Sequence, residues 1–130
     1  MARAEKTTVL VAEDDPQILA LVTRRLAKLG FEVFDTSDGD EALTLVRQKR
    51  PDAVVLDVMM PGRTGWEVCR AIREDESLAR TAVVMLTGIG ERLNEMTSPL
   101  YGADDYLDKP FEFPDLERKL KAAIQRRRKG

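Results

Sequence analysis

The chain contains no histidine and only one cysteine, Cys69. Without histidine, the Ser-His and Cys-His nucleophile systems and every histidine-based metal site are excluded. The chain also cannot carry a phosphohistidine of its own. A single cysteine cannot form a disulfide within the chain, which fits a reducing cytoplasm. We therefore expect Cys69 to be a small apolar residue packed on a helix.

Long apolar runs and an excess of basic charge are also absent. No apolar stretch approaches the roughly 20 residues needed to cross a bilayer, and the polar residues 1–8 do not resemble a secretion signal. The formal net charge is −2, so no basic excess is available to neutralise nucleic-acid phosphates. We expect a cytoplasmic domain that binds neither membranes nor nucleic acid directly.

The composition that remains is typical of one globular domain. The chain has 130 residues, of which 43% are hydrophobic and 34% charged. We place the domain at residues 7–126 and expect residues 127–130 to be a basic tail or the start of a linker. The sequence leaves open whether the domain acts alone or belongs to a larger protein.

Apolar patterning alternates between two kinds of segment. Short runs rich in β-branched and aliphatic residues predict buried parallel strands at residues 8–12, 31–34, 52–56, 82–86 and 105–107. Helical spacing predicts helices at residues 16–29, from residue 38 onward, at 65–73 and at 114–128. This alternation indicates an α/β fold with a parallel sheet.

A fourth predicted helix, between Glu91 and Leu100, has the weakest pattern. Pro99 lies inside or just after it, and an interior proline removes a hydrogen bond and bends a helix. We therefore expect this helix to be short, bent or mobile.

Two of the helix starts carry recognisable capping sequences. Asp15 precedes Pro16, as expected for an N-cap residue followed by proline at the first helical position. Asp38 lies three residues before Glu41, which predicts a capping box.

Polar side chains follow four of the predicted strands. Glu13 and Asp14 follow the first strand, Asp57 the third, Thr87 the fourth and Lys109 the fifth. Ligands bind outside the carboxyl ends of parallel strands, so we expect these residues to converge. Two carboxylates about 4 Å apart repel by roughly 4 kcal/mol. Oxygen ligands without histidine or cysteine favour Mg²⁺ as the counter-ion.

This set of groups is suited to phosphoryl chemistry. A carboxylate without a general base can attack a phosphorus atom that carries a good leaving group, because that reaction requires mainly positioning and charge neutralisation. A metal ion, a lysine and a threonine hydroxyl could together contact the oxygens of the transferred group. The product would be a labile acyl phosphate, which favours signalling over storage.

Each feature alone also has a plainer interpretation. The acidic run before Pro16 could cap a helix, although capping requires one acid rather than three. Asp57 could be a turn residue, Thr87 an ordinary strand residue and Lys109 a solvated charge. The occurrence of each at the end of a different strand is harder to explain in this way.

Four motifs give the chain a clear resemblance to the receiver domains of bacterial two-component response regulators. They are VLVAEDD at residues 9–15, VLDVMMPG at 55–62, MLTG at 85–88 and GADDYLDKPF at 102–111. The resemblance implies a doubly wound, flavodoxin-like α/β fold with five helices and a five-stranded parallel sheet in the order 2-1-3-4-5.

The resemblance also implies a phosphorylation site and a metal site. Asp57 would be the phosphoryl acceptor. Asp14 would bind Mg²⁺ directly, or Mn²⁺ in its place, and Glu13 would bind it through water. Asp57 and the backbone carbonyl of Met59 would complete the protein ligands.

Further roles follow from the same resemblance. Thr87 and Lys109 would contact the phosphoryl oxygens, Lys109-Pro110 would be a cis peptide, and Tyr106 would be a switch aromatic that follows Thr87. The donor would be a phosphohistidine on a histidine kinase or a phosphotransfer protein. Phosphorylation would change the face formed by the fourth helix, the fifth strand and the last helix. That face would control an effector protein or a fused output domain.

Two positions near the site bear on how the phosphoryl group is lost. Met59 lies two residues after Asp57, and Ile89 lies two residues after Thr87. Both are apolar and cannot readily orient a hydrolytic water, so we expect slow self-dephosphorylation.

Two other classes of function stay open at this point. A pseudo-receiver would be a docking module that acts without phosphorylation, although Asp57, Asp14 and Lys109 are all present. A phosphohydrolase similar to haloacid dehalogenases would need a second aspartate two residues after its nucleophile. Met59 occupies that position and cannot shuttle protons.

Overall fold

The computed structural model describes residues 6–88 and 102–129. Five strands and four α-helices lie within these ranges. The strands are β1 Thr8–Ala12, β2 Glu32–Thr36, β3 Ala53–Asp57, β4 Ala82–Thr87 and β5 Asp105–Asp108. The helices are α1 Pro16–Lys28, α2 Gly39–Lys49, α3 Gly65–Glu74 and α4 Phe113–Lys129, with a short 3-10 helix at Glu76–Leu78. The predicted helix between Glu91 and Leu100 falls outside the described residues.

The strands form one parallel sheet in the order β2-β1-β3-β4-β5, which confirms the predicted fold. The predicted third strand began one residue early, at Asp52. Its carboxylate accepts the backbone N–H of Thr8 at 2.8 Å, and its own N–H donates to the Thr8 carbonyl at 2.9 Å. Asp52 therefore ties the start of β3 to the start of β1 rather than adding to the strand.

Alternate residues of the strands supply the cores on the two faces of the sheet. Val9, Val11 and Val55 lie on the face covered by α1 and α4. Leu10 and Leu56 lie on the other face, in the core that α2 and α3 cover. Each fully buried aliphatic side chain stabilises the fold by about 1.5–3 kcal/mol. Because both faces are buried, the strands appear in the sequence as continuous apolar runs.

The N-caps of α1 and α2 agree with the sequence in part. The Asp15 carboxylate accepts the backbone N–H groups of Gln17 and Ile18 at 2.8 and 3.3 Å, as predicted. Asp38 accepts the N–H of Glu41 at 2.9 Å. The other half of the predicted capping box is not formed, because the N–H of Asp38 donates to the Thr36 hydroxyl, which in turn donates to the Glu41 carboxylate.

A complete capping box opens α3 instead. Thr64 accepts the backbone N–H of Glu67 at 3.2 Å, and Glu67 accepts the N–H of Thr64 at 2.8 Å. The sequence spacing of a threonine followed three residues later by a glutamate could have predicted this cap.

Helix α4 continues through the basic end of the chain to Lys129. Within that end, Arg127 donates to the Asp104 carboxylate at 2.9 Å and to the Ala79 carbonyl at 3.1 Å. Arg127 is therefore held against the domain. The domain boundaries at residues 7–126 remain a prediction. No helix in the described part of the chain is long and apolar enough to span a membrane.

Candidate functional site

The carboxyl ends of β1, β3 and β5 bring four of the predicted site residues to one cleft. Glu13 and Asp14 directly follow β1, Asp57 is the last residue of β3 and Lys109 directly follows β5. The cleft has a volume of about 600 Å³ and is lined by Glu13, Asp14, Asp15, Pro16, Gln17, Asp57, Met59, Gly88 and Lys109. Its position matches the binding crevice that parallel α/β sheets form at their carboxyl edge.

The ammonium group of Lys109 bridges the two buried carboxylates of the cleft. Its Nζ lies 3.0 Å from Oδ1 of Asp57 and 3.0 Å from Oε1 of Glu13. Burial lowers the pKa of Lys109, but the hydrogen bonds and charges of the two carboxylates outweigh burial and raise its pKa above the ordinary value. Lys109 therefore keeps its positive charge between the acids.

Glu13 is fully buried, and burial raises its pKa from 4.5 to about 7. The neighbouring Asp57 also raises this pKa, whereas the backbone N–H of Asp15, at 2.9 Å, and Lys109 lower it. Oε1 of Glu13 accepts no directed hydrogen bond, although Nζ of Lys109 is close to it. Glu13 thus presents an under-used acceptor oxygen to the site.

The two carboxylate oxygens of Asp57 accept hydrogen bonds from two different residues. Oδ1 accepts from Lys109 at 3.0 Å, and Oδ2 accepts the backbone N–H of Asp14 at 3.3 Å. The side chain of Asp57 is nearly buried, while Asp14 is exposed. The site therefore combines one positioned carboxylate, one solvent-facing carboxylate and a fixed cation.

The segment after Asp57 requires glycine at the start of α3. A Cβ atom on Gly65 would lie 2.2 Å from the Asp57 carbonyl oxygen, so a larger residue would displace the end of β3. The backbone N–H of Gly65 donates to the Val58 carbonyl at 2.7 Å. Met59, between these two anchored points, is 59% exposed and lines the cleft.

Thr87 is at the end of β4, as predicted, but its hydroxyl is turned to β5. The hydroxyl donates to the Asp108 carboxylate at 2.7 Å, and Thr87 is 1% exposed. Thr87 does not line the cleft that contains Asp57. The sequence did not identify Asp108 as a partner of Thr87, because that contact joins two paired strands and residues 21 positions apart.

The predicted switch aromatic packs beside an aromatic residue of α3. The ring centroid of Tyr106 lies 6.1 Å from that of Trp66, with the planes inclined by 52°. Tyr106 is half-buried. The Lys109-Pro110 peptide is cis, which confirms that expectation.

The residues of the cleft fit a hard divalent cation. In residues 6–88 and 102–129, no three Asp, Glu or Cys side chains are already gathered as a ligand set. The under-used oxygen of buried Glu13 and the exposed carboxylate of Asp14 nevertheless face the same cleft as Asp57. All are oxygen donors, which Mg²⁺ prefers.

The strand order and the cluster of carboxylates and lysine define a flavodoxin-like α/β domain with an acidic site at the carboxyl edge of its sheet. The family model described as the response regulator receiver domain matches residues 9–121. The chain therefore belongs to the response regulator receiver domain family. It is a signalling domain of two-component systems rather than a classical enzyme.

Two relatives show the extent of the sequence similarity. The "Probable transcriptional regulator ycf27" of Guillardia theta is 40% identical over 125 residues, covering 96% of this chain and 48% of the relative. The "DNA-binding response regulator MtrA" of Mycolicibacterium smegmatis is 39% identical over 118 residues, covering 91% of this chain and 50% of the relative. The chain thus spans about half the length of these curated relatives.

Solved structures agree with this assignment. The chemotaxis protein CheY4 of Vibrio cholerae superposes with a TM-score of 0.84 at 31% identity, covering 92% of this chain and 99% of that one. The BeF3-activated N-terminal receiver domain of RstA from Klebsiella pneumoniae superposes with a TM-score of 0.81 at 30% identity, covering 90% of this chain and 97% of that one.

Proposed function

We propose that the protein is a phospho-acceptor domain in which Asp57 receives a phosphoryl group from a phosphohistidine on a separate kinase or phosphotransfer protein. The observation that supports this proposal most is the arrangement around Asp57. Its carboxylate is positioned by Lys109 at 3.0 Å and by the backbone of Asp14 at 3.3 Å, at the base of an open cleft.

The transfer requires one bond to form and one to break. An oxygen of Asp57 attacks the phosphorus, and the bond between phosphorus and the donor imidazole nitrogen breaks. The imidazole, protonated on its other ring nitrogen, leaves as a neutral molecule with the bonding electrons. No oxidant or reductant is needed, and the product is an aspartyl phosphate. The chain contributes mainly position and charge to this step.

Residues of the cleft would hold a magnesium ion, for which Mn²⁺ could substitute. Asp14, Asp57 and the backbone carbonyl of Met59 would bind it directly, and Glu13 would bind it through water. When bound, the ion supplies positive charge that neutralises the incoming phosphoryl oxygens. Glu13 must be ionised to contribute, and its under-used oxygen is suited to a water ligand.

Lys109 would contact a phosphoryl oxygen after transfer. Its ammonium already lies 3.0 Å from the oxygen of Asp57 that accepts from it, so a group attached to Asp57 would be within its reach. The aspartyl phosphate carries about one more negative charge than the carboxylate. The fixed positive charge of Lys109 therefore stabilises the phosphorylated state more than the free one.

The phosphorylated domain would act through the face that contains β5 and α4. Thr87 would turn towards the phosphoryl group, and Tyr106 would change its packing next to Trp66. The region predicted to contain the fourth helix would complete this face. Both curated relatives carry names of transcriptional regulators or DNA-binding proteins. We infer that this domain controls an effector protein or a fused output domain, with no nucleic-acid contact of its own.

Loss of the phosphoryl group would be slow. Met59 is exposed beside Asp57 and offers no group that could orient a water for hydrolysis. We expect the aspartyl phosphate to persist for minutes or longer without a phosphatase. Loss within seconds would contradict this expectation.

Intact-mass spectrometry tests the proposal directly. The protein is incubated with acetyl phosphate, whose acetate leaves as the phosphoryl group transfers, with and without Mg²⁺. We expect a single phosphoryl adduct that requires Mg²⁺ and is absent from Asp57→Asn. Asp52→Asn, directly before the other end of β3, is the matched control and should still be labelled. An unlabelled wild type, together with binding of a partner by the unmodified domain, would favour a pseudo-receiver instead.

A further inference from the structure

The side chains of Thr87 and Asp108 form a contact outside the cleft described above. The two residues are direct partners in the register between β4 and β5, so their side chains project from the same face of the sheet. The Thr87 hydroxyl donates to Oδ1 of Asp108 at 2.7 Å, and its next acceptor, the Leu107 carbonyl, lies 3.5 Å away. The carboxylate is thus the main partner of a buried hydroxyl.

A threonine hydroxyl carries only one hydrogen to donate. While that hydrogen is donated to Asp108, it cannot be donated to a phosphoryl oxygen on Asp57. We propose that Asp108 is a positioning residue that holds Thr87 in the resting orientation and competes with the phosphoryl group for its hydroxyl. This inference rests on the proposed function of Asp57.

The backbone of Thr87 is held in place by the neighbouring strand. The Thr87 carbonyl accepts the backbone N–H of Lys109 at 2.7 Å, which fixes the end of β4 against β5. A change of orientation therefore needs only rotation about the Cα–Cβ bond of Thr87. The movement would leave the positions of Lys109 and Asp57 unchanged.

The strength of the contact suits a reversible switch. The Asp108 carboxylate accepts from the Thr87 hydroxyl at 2.7 Å, and hydrogen bonds to carboxylates are short and stronger than those between neutral groups. Asp108 is also exposed, so water competes with the hydroxyl and keeps the net advantage small. The phosphoryl group can therefore displace the contact, and its affinity for the site is reduced by the fraction of time that Thr87 is held away.

Variants of Asp108 test the proposal, and Asp105 supplies the control. Asp108→Ala removes the acceptor, whereas Asp108→Asn keeps a carbonyl oxygen that can accept a hydrogen bond from the Thr87 hydroxyl. Asp105→Ala removes an equal charge from the same strand. Asp105 pairs with Lys119 at 3.1 Å rather than with Thr87. Thermal unfolding establishes that each variant is folded.

Two measurements are made on each protein. The rotamer populations of Thr87 are determined by NMR from the three-bond couplings of its γ-methyl group, before any ligand is added. Beryllium fluoride, an analogue of the phosphoryl group, is then titrated with Mg²⁺ present. The shift of the Thr87 methyl signal and the emission of Trp66, the single tryptophan, follow the titration.

We expect Asp108→Ala to broaden the rotamer distribution of Thr87 and to bind beryllium fluoride about three- to tenfold more tightly than the wild type. The affinity of Asp108→Asn for beryllium fluoride should lie between those of Asp108→Ala and the wild type. Asp105→Ala should match the wild type in both measurements. Equal affinities for Asp108→Ala and the wild type, with an unchanged Thr87 rotamer, would overturn the positioning role alone. A wild type that binds no beryllium fluoride would overturn the proposed function and this inference with it.

Discussion

At the scale of single residues, the site depends on an acid that burial keeps partly protonated near neutral pH. Burial raises the pKa of Glu13 from 4.5 to about 7, with a further contribution from Asp57. An acid whose pKa is higher in the folded state binds its proton more tightly there than in the unfolded chain. Its contribution to stability is therefore fully present below pH 4.5 and is lost as the pH rises through about 7.

The first prediction concerns the pH dependence of stability in the presence of EDTA. The free energy of unfolding of Glu13→Gln, relative to the wild type, should increase by on the order of 2 kcal/mol between about pH 5 and pH 8. The reason is that the wild type must ionise a buried acid over this range, whereas glutamine cannot. Urea unfolding at several pH values measures the difference. Glu32→Gln, an exposed position on β2, is the control, and a flat difference for Glu13→Gln would refute the assignment.

The second prediction concerns the single cysteine. Cys69 is fully buried on α3, as expected from the sequence, and burial raises its pKa to about 12. The reactive thiolate is therefore scarce at neutral pH and inaccessible. Ellman's reagent at pH 8 should leave the native protein unmodified and react with one thiol per chain once the protein is unfolded in urea. Stoichiometric modification of the native protein within minutes would show that the helix is not packed as described.

At the scale of secondary structure elements, an acidic side chain holds α3 and α4 to the sheet. Asp104 accepts from Arg73 at 3.1 Å, from Arg127 at 2.9 Å and from the backbone N–H of Val83 at 2.8 Å. Burial lowers the pKa of Arg73, so this guanidinium depends on its acidic partner. Three elements are thus joined through one carboxylate.

The third prediction follows from this contact. Asp104→Ala should lower the free energy of unfolding by about 2–4 kcal/mol, because it removes the carboxylate that pairs with two part-buried arginines and accepts the backbone N–H of Val83. Glu74→Ala removes the exposed ion pair with Arg70 and should change the free energy of unfolding by less than about 0.5 kcal/mol. Chemical denaturation of both variants gives the comparison. Equal destabilisation by the two substitutions would contradict the structural role of Asp104.

Most of the secondary structure could be predicted from the sequence, and the exceptions have physical causes. The strand ends were correct within two residues because both faces of the sheet are buried and the apolar runs are continuous. Only one of the two hydrogen bonds of the capping box predicted for Asp38 and Glu41 is formed. The Thr36 hydroxyl accepts the N–H of Asp38 and donates to the Glu41 carboxylate, so these two groups do not bond to each other. Thr36 is outside the local motif, so the motif alone could not reveal the competition.

At the scale of the whole molecule, the location of the site could be predicted but its internal contacts could not. Parallel strands place their carboxyl ends at one edge, which was enough to bring Asp57, Glu13 and Lys109 together. The strand order came from the family resemblance, since apolar periodicity indicates only a parallel α/β sheet. The contact between Thr87 and Asp108 requires the exact register of β4 and β5, which no local pattern specifies.

The signalling role proposed for this domain depends on one covalent event at one position. The most direct test is to phosphorylate the protein with acetyl phosphate and Mg²⁺, reduce it with sodium borohydride, and sequence its peptides by mass spectrometry. Reduction converts an aspartyl phosphate into homoserine and leaves free carboxylates unchanged. We predict homoserine at position 57 and at no other acidic residue of the cleft. Homoserine at position 14, or at no position in a sample that carries the phosphoryl adduct, would contradict the central claim.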